Sequence, residues 1–98
     1  MLNEEMYQTG KRAKKALIDR LRYAVDCSRP EAALGLAVIE QSAFDIRAVT
    51  QHHRRKALSF IASNRFDFWC DLIELDPDYA REVIADHYPE ILKETEDA

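Results

Sequence analysis

Three histidines, two cysteines and 18 acidic residues are the raw material for chemistry in this chain. Their spacing decides what they could do. His52 and His53 are adjacent, so on a helix their side chains point about 100° apart, and the chain has neither HxxxH nor HExxH to hold a metal ion. His87 and Glu90 make an i, i+3 pair, with no second carboxylate–histidine set to complete a site; His87 is expected to be a half-buried packing residue. A cysteine nucleophile needs a base and an electropositive pocket. Cys70 instead sits between Trp69 and Asp71 at a predicted helix crossing, where a packed thiol is expected. Cys27 and Cys70 share no CxxC motif and read as free thiols, with a single disulfide as the alternative. Gly10 and Gly35 are the only glycines, too few for a phosphate-cradling loop. The expectation is a protein that is not an enzyme and uses no metal or cofactor.

Charge is the other chemical resource, and it is unevenly spread. The chain has 98 residues and a formal net charge of −4. Residues 1–64 carry 11 Lys+Arg and 7 Asp+Glu, while residues 65–98 carry 3 and 11. Two basic clusters stand out: Lys11, Arg12, Lys14 and Lys15, followed by Arg20 and Arg22, and then His52 to Lys56 with Arg54 and Arg55. On one face they would make a patch for phosphates or an acidic protein. The plain alternatives are solvated helix faces, or self-association in which the basic part of one copy meets the acidic part of another.

Only 5 of the residues are Gly or Pro, so a turn-rich all-β chain is excluded and helices must position these groups. The length fits one domain, with residues 1–10 and 94–98 expected to fray. Ala13, Leu17, Leu21 and Ala24 recur at helical spacing and predict a helix from Lys11 to about Asp26. Ser28-Arg29-Pro30-Glu31 reads as a capping box with Ser28 as N-cap. It opens a central helix reaching Val49 or Thr50, whose line Leu36, Ile39, Ala43 and Ile46 is widened by Leu34, Ala37 and Val38. A third helix is expected over Gln51 to Ala62, stopped at Ser63-Asn64. A short one from Asp67 to Glu74 would bury Trp69, Leu72 and Ile73. A last one opens at Asp76-Pro77, with the line Ala80, Val83, Ile84 and His87, and Pro89 ends it. The fold class is all-α, a compact bundle of about five helices. No ordinary signal peptide is expected at Met1 to Gln8, and the longest apolar run, Leu36 to Ile39, cannot span a bilayer. A cytoplasmic location with no membrane partner is the default.

One segment has a shape of its own. From Trp69 to Val83, the residues Trp69, Ile73, Leu75, Ala80 and Val83 fall on the apolar places of a helix-turn-helix unit, and Cys70 falls on its small crossing position. The turn position usually given to Gly is Glu74, which must then accept a left-handed conformation or a different turn. The second helix carries Asp76, Asp78, Glu82 and Asp86 against Arg81, so repulsion from DNA phosphates should win. The segment is expected to be a helical corner closing the core. A groove reader and an acidic protein-facing surface of Asp71, Asp78, Glu82 and Asp86 are the alternatives.

The stretch from Leu36 to Val83 resembles a group of small bacterial and phage-borne proteins of uncharacterised function. The resemblance rests on Ala37-Val38-Ile39-Glu40-Gln41-Ser42-Ala43, on Ala57-Leu58-Ser59-Phe60-Ile61-Ala62-Ser63, and on the block from Phe66 to Tyr79. It covers about half the chain. It implies a helix-turn-helix-like fold and a phage or prophage setting, and it carries no activity. The expected function is a non-enzymatic binding or regulatory module that contacts a protein or nucleic acid, with a homodimer as one form. The alternatives are a DNA- or RNA-associated protein using Lys11, Arg12, Lys14, Lys15, Arg54, Arg55 and Lys56, and an acidic inhibitor of a host nucleic-acid-binding complex.

Overall fold

The structure, a computed structural model, describes the backbone of residues 4–91 and the side chains of residues 12 and 14–91. The chain runs through helices α1 (Glu4–Tyr23), α2 (Pro30–Phe44), α3 (Gln51–Ile61), α4 (Asn64–Leu72) and α5 (Pro77–His87), with a 3-10 turn at Asp45–Arg47 between α2 and α3. Among the described residues there is no strand, and the all-α bundle of five helices stands as expected. The expected fraying at 94–98 lies outside the described residues.

The first helix starts at Glu4, not Lys11. Gly10 costs a helix interior up to about 1 kcal/mol, which good helix formers on both sides outweigh. Leu17 and Leu21 are fully buried, but the line then turns to Val25, and Ala24 is exposed. The reason is that α1 stops at Tyr23 and its end tightens: the Ala24 amide donates to the Leu21 carbonyl three residues back.

The expected capping box does not form. Arg29 is the N-cap of α2, with an extended backbone (φ −86°, ψ 131°) and no side-chain cap. A residue before proline is pushed out of the helical region, so Pro30 places the boundary at Arg29 and not at Ser28. The Ser28 hydroxyl instead donates to Asp26 at 2.6 Å. The second correction concerns length. α2 ends at Phe44, and the chain is extended at Ala48. Thr50 then caps α3, its hydroxyl accepting the His53 amide. A threonine cap is the breaker that separates the two helices.

One cluster of buried side chains runs through all five helices, with Leu17, Leu21, Ile39, Phe66, Ile73, Val83, Ile84 and Tyr88 at its centre. α2 crosses α4 at Gly35, where a Cβ would collide with Ile73 and touch Trp69. Gly35 is the small residue at this α2–α4 crossing; Cys70, read from sequence as the small residue where α4 meets α5, is fully buried in that corner. Trp69 is only partly buried and Leu72 is 46% exposed, against the expectation for both. α4 spans Asn64–Leu72, starting three and ending two residues before the expected bounds; its inward stripe is Phe66, Cys70 and Ile73, so Ile73 is buried as expected while Trp69 and Leu72 lie beside the stripe.

Of the two outcomes left open for the corner between α4 and α5, the structure takes the left-handed one. Glu74 is left-handed, at φ 59°. The Leu75 amide donates to the Cys70 carbonyl at 2.8 Å and the Glu74 amide to the Asp71 carbonyl at 3.1 Å. This is a Schellman cap, with the accompanying apolar contact supplied by buried Leu75 and Cys70. Asp76 then caps α5 by accepting the Asp78 amide.

Candidate binding groove

α2 has more apolar surface than its neighbours cover. Ala32, Gly35, Leu36, Ile39 and Ala43 face the core, yet Leu34 is 65% exposed, Ala37 is exposed and Val38 is half-buried. The sequence pattern assigned Leu34, Ala37 and Val38 to a wider buried face. They instead form one wall of an open groove of about 580 Å³. Gln41, Ser42 and Asp45 continue that wall, and His53, Lys56, Ala57 and Phe60 of α3 make the other. The floor is apolar and the rim carries charge of both signs. Asp45 accepts from the Gln41 amide at 2.9 Å. His53 is held at the start of α3 by its ring nitrogen and the Thr50 hydroxyl. Lys56 has no ion-pair partner among the described residues.

The basic residues singled out from sequence separate into two kinds. Arg12, Lys15, Arg55 and Lys56 are exposed and face solvent. Lys14 lies over the Phe44 ring, 5.2 Å from its centroid. Arg54 folds back on the connection between α2 and α3, donating to the Ala48 and Val49 carbonyls at 2.9 and 3.2 Å. Both clusters thus reach the segment 44–49, Lys14 from α1 and Arg54 from α3. The Lys11 side chain lies outside the described residues. A second, smaller cavity of about 300 Å³ is lined by Ile46, Gln51, Arg54, Arg55, Leu58 and Glu90. Glu90 is already committed there: Arg47 grips it in a fork at 2.7 and 3.1 Å and holds its carboxyl below the usual range.

The acidic residues also divide. Asp86 pairs with Arg20 of α1 at 2.9 Å. Asp78 is a loose partner of Arg81 at 3.7 Å. Asp71 and Glu82 are exposed and make no ion pair among the described residues. Arg81 points back into the fold, donating to the Ile61 carbonyl at 2.9 Å, the Ser63 carbonyl at 3.3 Å and Asp67 at 2.5 Å, over the Phe66 ring. The lone cation of the last long helix is a clamp on the α3–α4 joint.

Burial shifts titratable groups among the described residues. Burial pushes the Cys70 thiol up to about 12, so it stays protonated and weakly nucleophilic. Burial also raises the Glu40 carboxyl, which Arg22 partly offsets from 3.4 Å. Cys27 is exposed and unbridged. Among the described residues no three His, Cys, Asp or Glu side chains group as metal ligands would, and no helix is long and apolar enough to cross a membrane.

Comparison of the chain with protein-family models, with curated proteins and with solved structures found no match. The reading of function therefore rests on the groove and the charges around it. Sequence reasoning put His53 and Lys56 in one basic cluster but did not place them, with Phe60, on the rim of a groove against α2. The available signal was an excess: Leu34, Ala37 and Val38 made α2 apolar over more of its circumference than a five-helix bundle of this size can cover.

Proposed function

We propose that the chain is a small non-enzymatic binding module, in a phage or mobile-element setting, that acts by receiving an apolar helical segment of a protein in its α2–α3 groove. The observation that supports this is the open apolar wall of Leu34, Ala37 and Val38 facing Ala57 and Phe60 across a volume suited to several side chains. Helix-in-groove recognition uses such a surface, with anchors at i, i+3 or i+4 filling the floor and rim charges setting register. The test is capture of partner proteins by wild type and by Val38→Arg, followed by reconstitution of each pair from purified components. Binding that requires an unblocked groove supports the reading; identical binding by both forms ends it.

Four exposed cations, Arg12, Lys15, Arg55 and Lys56, favour a second reading, contact with nucleic-acid phosphates. It predicts binding that falls steeply with salt and is lost when these residues become Ala. No retardation of DNA or RNA at low salt would exclude it. The acidic-inhibitor reading has less support, because Asp86 and Asp78 already face arginines within the fold.

A further inference from the structure

α3 lies in an acid-free stretch of an acidic chain. Residues 46–66 contain no Asp or Glu, although the whole chain has 18, and they carry Arg47, Arg54, Arg55, Lys56 and Arg65. Helical spacing sorts the side chains of α3. Ala57 and Ile61 are buried, and Arg54, Leu58 and Phe60 are half-buried beside them. On the opposite side Gln51, His52, Arg55, Lys56 and Ser59 are all exposed. Every one of these five side chains can donate a hydrogen bond, and none is a carboxylate. Only Lys56 among them also lines the α2–α3 groove, so this is a different surface. A face that binds protein is built around aromatic or other apolar side chains, and this one has none. Nucleic-acid interfaces are polar and positively charged.

The start of α3 is also held in place. Thr50 caps it, and Arg54 ties it to the connection before it through the Ala48 and Val49 carbonyls. Two carboxylates lie toward this end. Arg47 grips Glu90 in a fork, and Asp45 is half-buried on the α2 side, accepting from Gln41. Lys14 reaches the same region from α1, over the Phe44 ring. The 11 residues of α3 make a rod of about 16 Å. The major groove of DNA is wide enough for an α-helix, whereas that of an RNA duplex is too deep and narrow.

We propose that α3 is a reading helix for duplex DNA, its outward face seated in the major groove. Gln51, His52 and Arg55 offer donors from the first two turns, as the leading residues of such helices do, and Lys56 meets phosphate. This rests on the nucleic-acid reading above and narrows it to one helix and one form of nucleic acid. The sequence pattern pointed to α5 as a groove reader, but its exposed residues include Asp78, Glu82 and Asp86. α3 has the charge that α5 lacks.

Fluorescence anisotropy of the full chain with short random-sequence DNA duplexes at low salt tests it. Binding is expected to fall steeply as salt rises. The matching RNA duplex and the single strand should bind about tenfold more weakly. Methyl green, which occupies the major groove, should displace the protein, and netropsin, which fills the minor groove, should not. Arg55→Ala should weaken binding about tenfold, and Lys56→Ala should also lower the salt slope by about one ion. Ser59→Glu puts a carboxylate on the outward face and should weaken binding by about tenfold or more. Ala24→Glu adds the same charge beyond the end of α1 and should have little effect. All four positions are exposed, and circular dichroism checks that the variants keep their helices. No binding to any of the three nucleic acids overturns the proposal and the reading beneath it. Equal losses from Ser59→Glu and Ala24→Glu, tighter binding of RNA or single strands, or displacement by netropsin alone overturns the assignment to α3 and leaves nucleic-acid contact standing. Displacement by polyglutamate as effective as by unlabelled duplex overturns the proposal in favour of an acidic protein partner.

Discussion

Replacing Glu74 by glycine should make the protein more stable, and the size of the gain can be worked from the turn. Glu74 sits at φ 59° in the Schellman cap of α4. A residue with a Cβ pays about 1–2 kcal/mol in that region because the Cβ crowds its own carbonyl. Glycine removes that cost but gives back about 0.5–1 kcal/mol in unfolded-chain entropy. The Glu74 side chain is exposed and forms no hydrogen bond or ion pair that the change would lose. The net expectation for Glu74→Gly is about 0.5–1 kcal/mol of added stability, or a Tm higher by about 2–8 °C for a domain of this size. A second effect must be separated. A carboxylate beside the C-terminus of a helix is repelled by the exposed carbonyls, and any neutral residue relieves that. Glu74→Ala is the control, because it removes the charge and keeps the Cβ. Urea unfolding of the three proteins should show equal slopes, with Glu74→Gly shifted to higher denaturant than Glu74→Ala. Equal midpoints for the Gly and Ala variants would refute the claim that the backbone is strained at this turn.

Gly35→Ala should destabilise by about 1–3 kcal/mol, because the collision with Ile73 outweighs the helix-propensity gain; equal thermal stability would contradict the close α2–α4 crossing. Arg81→Ala should cost about 1.5–3 kcal/mol in urea unfolding, since two carbonyls at the α3 terminus and Asp67 lose a shared donor, and Arg81→Lys should recover less than half, as an ammonium cannot fork between them. Stability should decline from about pH 9 toward pH 12, where the unfolded chain has released the Cys70 proton and the folded chain retains it; the raised folded pKa makes the favourable contribution one that is lost as pH rises. In Cys70→Ala that alkaline slope should flatten, and an unchanged pH profile by chemical denaturation would count against the buried thiol.

The helices were legible because their apolar spacing repeats and because Pro30, Asp76 and Pro77 punctuate it. Boundaries were less so, for local reasons. Arg29 became a cap through the geometry imposed by Pro30, although its side chain accepts nothing. Thr50 was passed over because a single threonine is a weak signal until the backbone around it is extended. The turn pattern left two outcomes at Glu74, a left-handed residue or a different turn, and the structure takes the first. The groove was half legible. Periodicity says which residues of α2 are apolar, but it does not say how many neighbours will come to cover them. That number is set by where α3 and α4 land, through the Gly35 crossing and the hold of Arg81 on the α3–α4 joint.

The division of charge between a basic first part and an acidic second part has two consequences that the total of −4 conceals. Some of it is used internally: Arg20 reaches across to Asp86 and Arg47 to Glu90, binding α1 and the 3-10 turn to the far end of the chain. Exposed pairs of this kind contribute little each, about 1 kcal/mol or less, so their main effect is to fix which surfaces meet. What they leave over is more informative. Arg12, Lys15, Arg55 and Lys56 on one part, and Asp71, Glu74 and Glu82 on the other, make no ion pair among the described residues. Exposed charges of opposite sign left over on the two parts of the chain favour attraction between unlike surfaces of two copies. They also speed encounter with any partner whose charge suits one part. On the reading proposed above, the exposed apolar side chains Leu34 and Val38 of the groove wall would hold a partner once it has arrived. Affinity and orientation thus depend on different residues, and salt should change the association rate of wild type more than its dissociation rate, whereas Val38→Arg should act chiefly on dissociation.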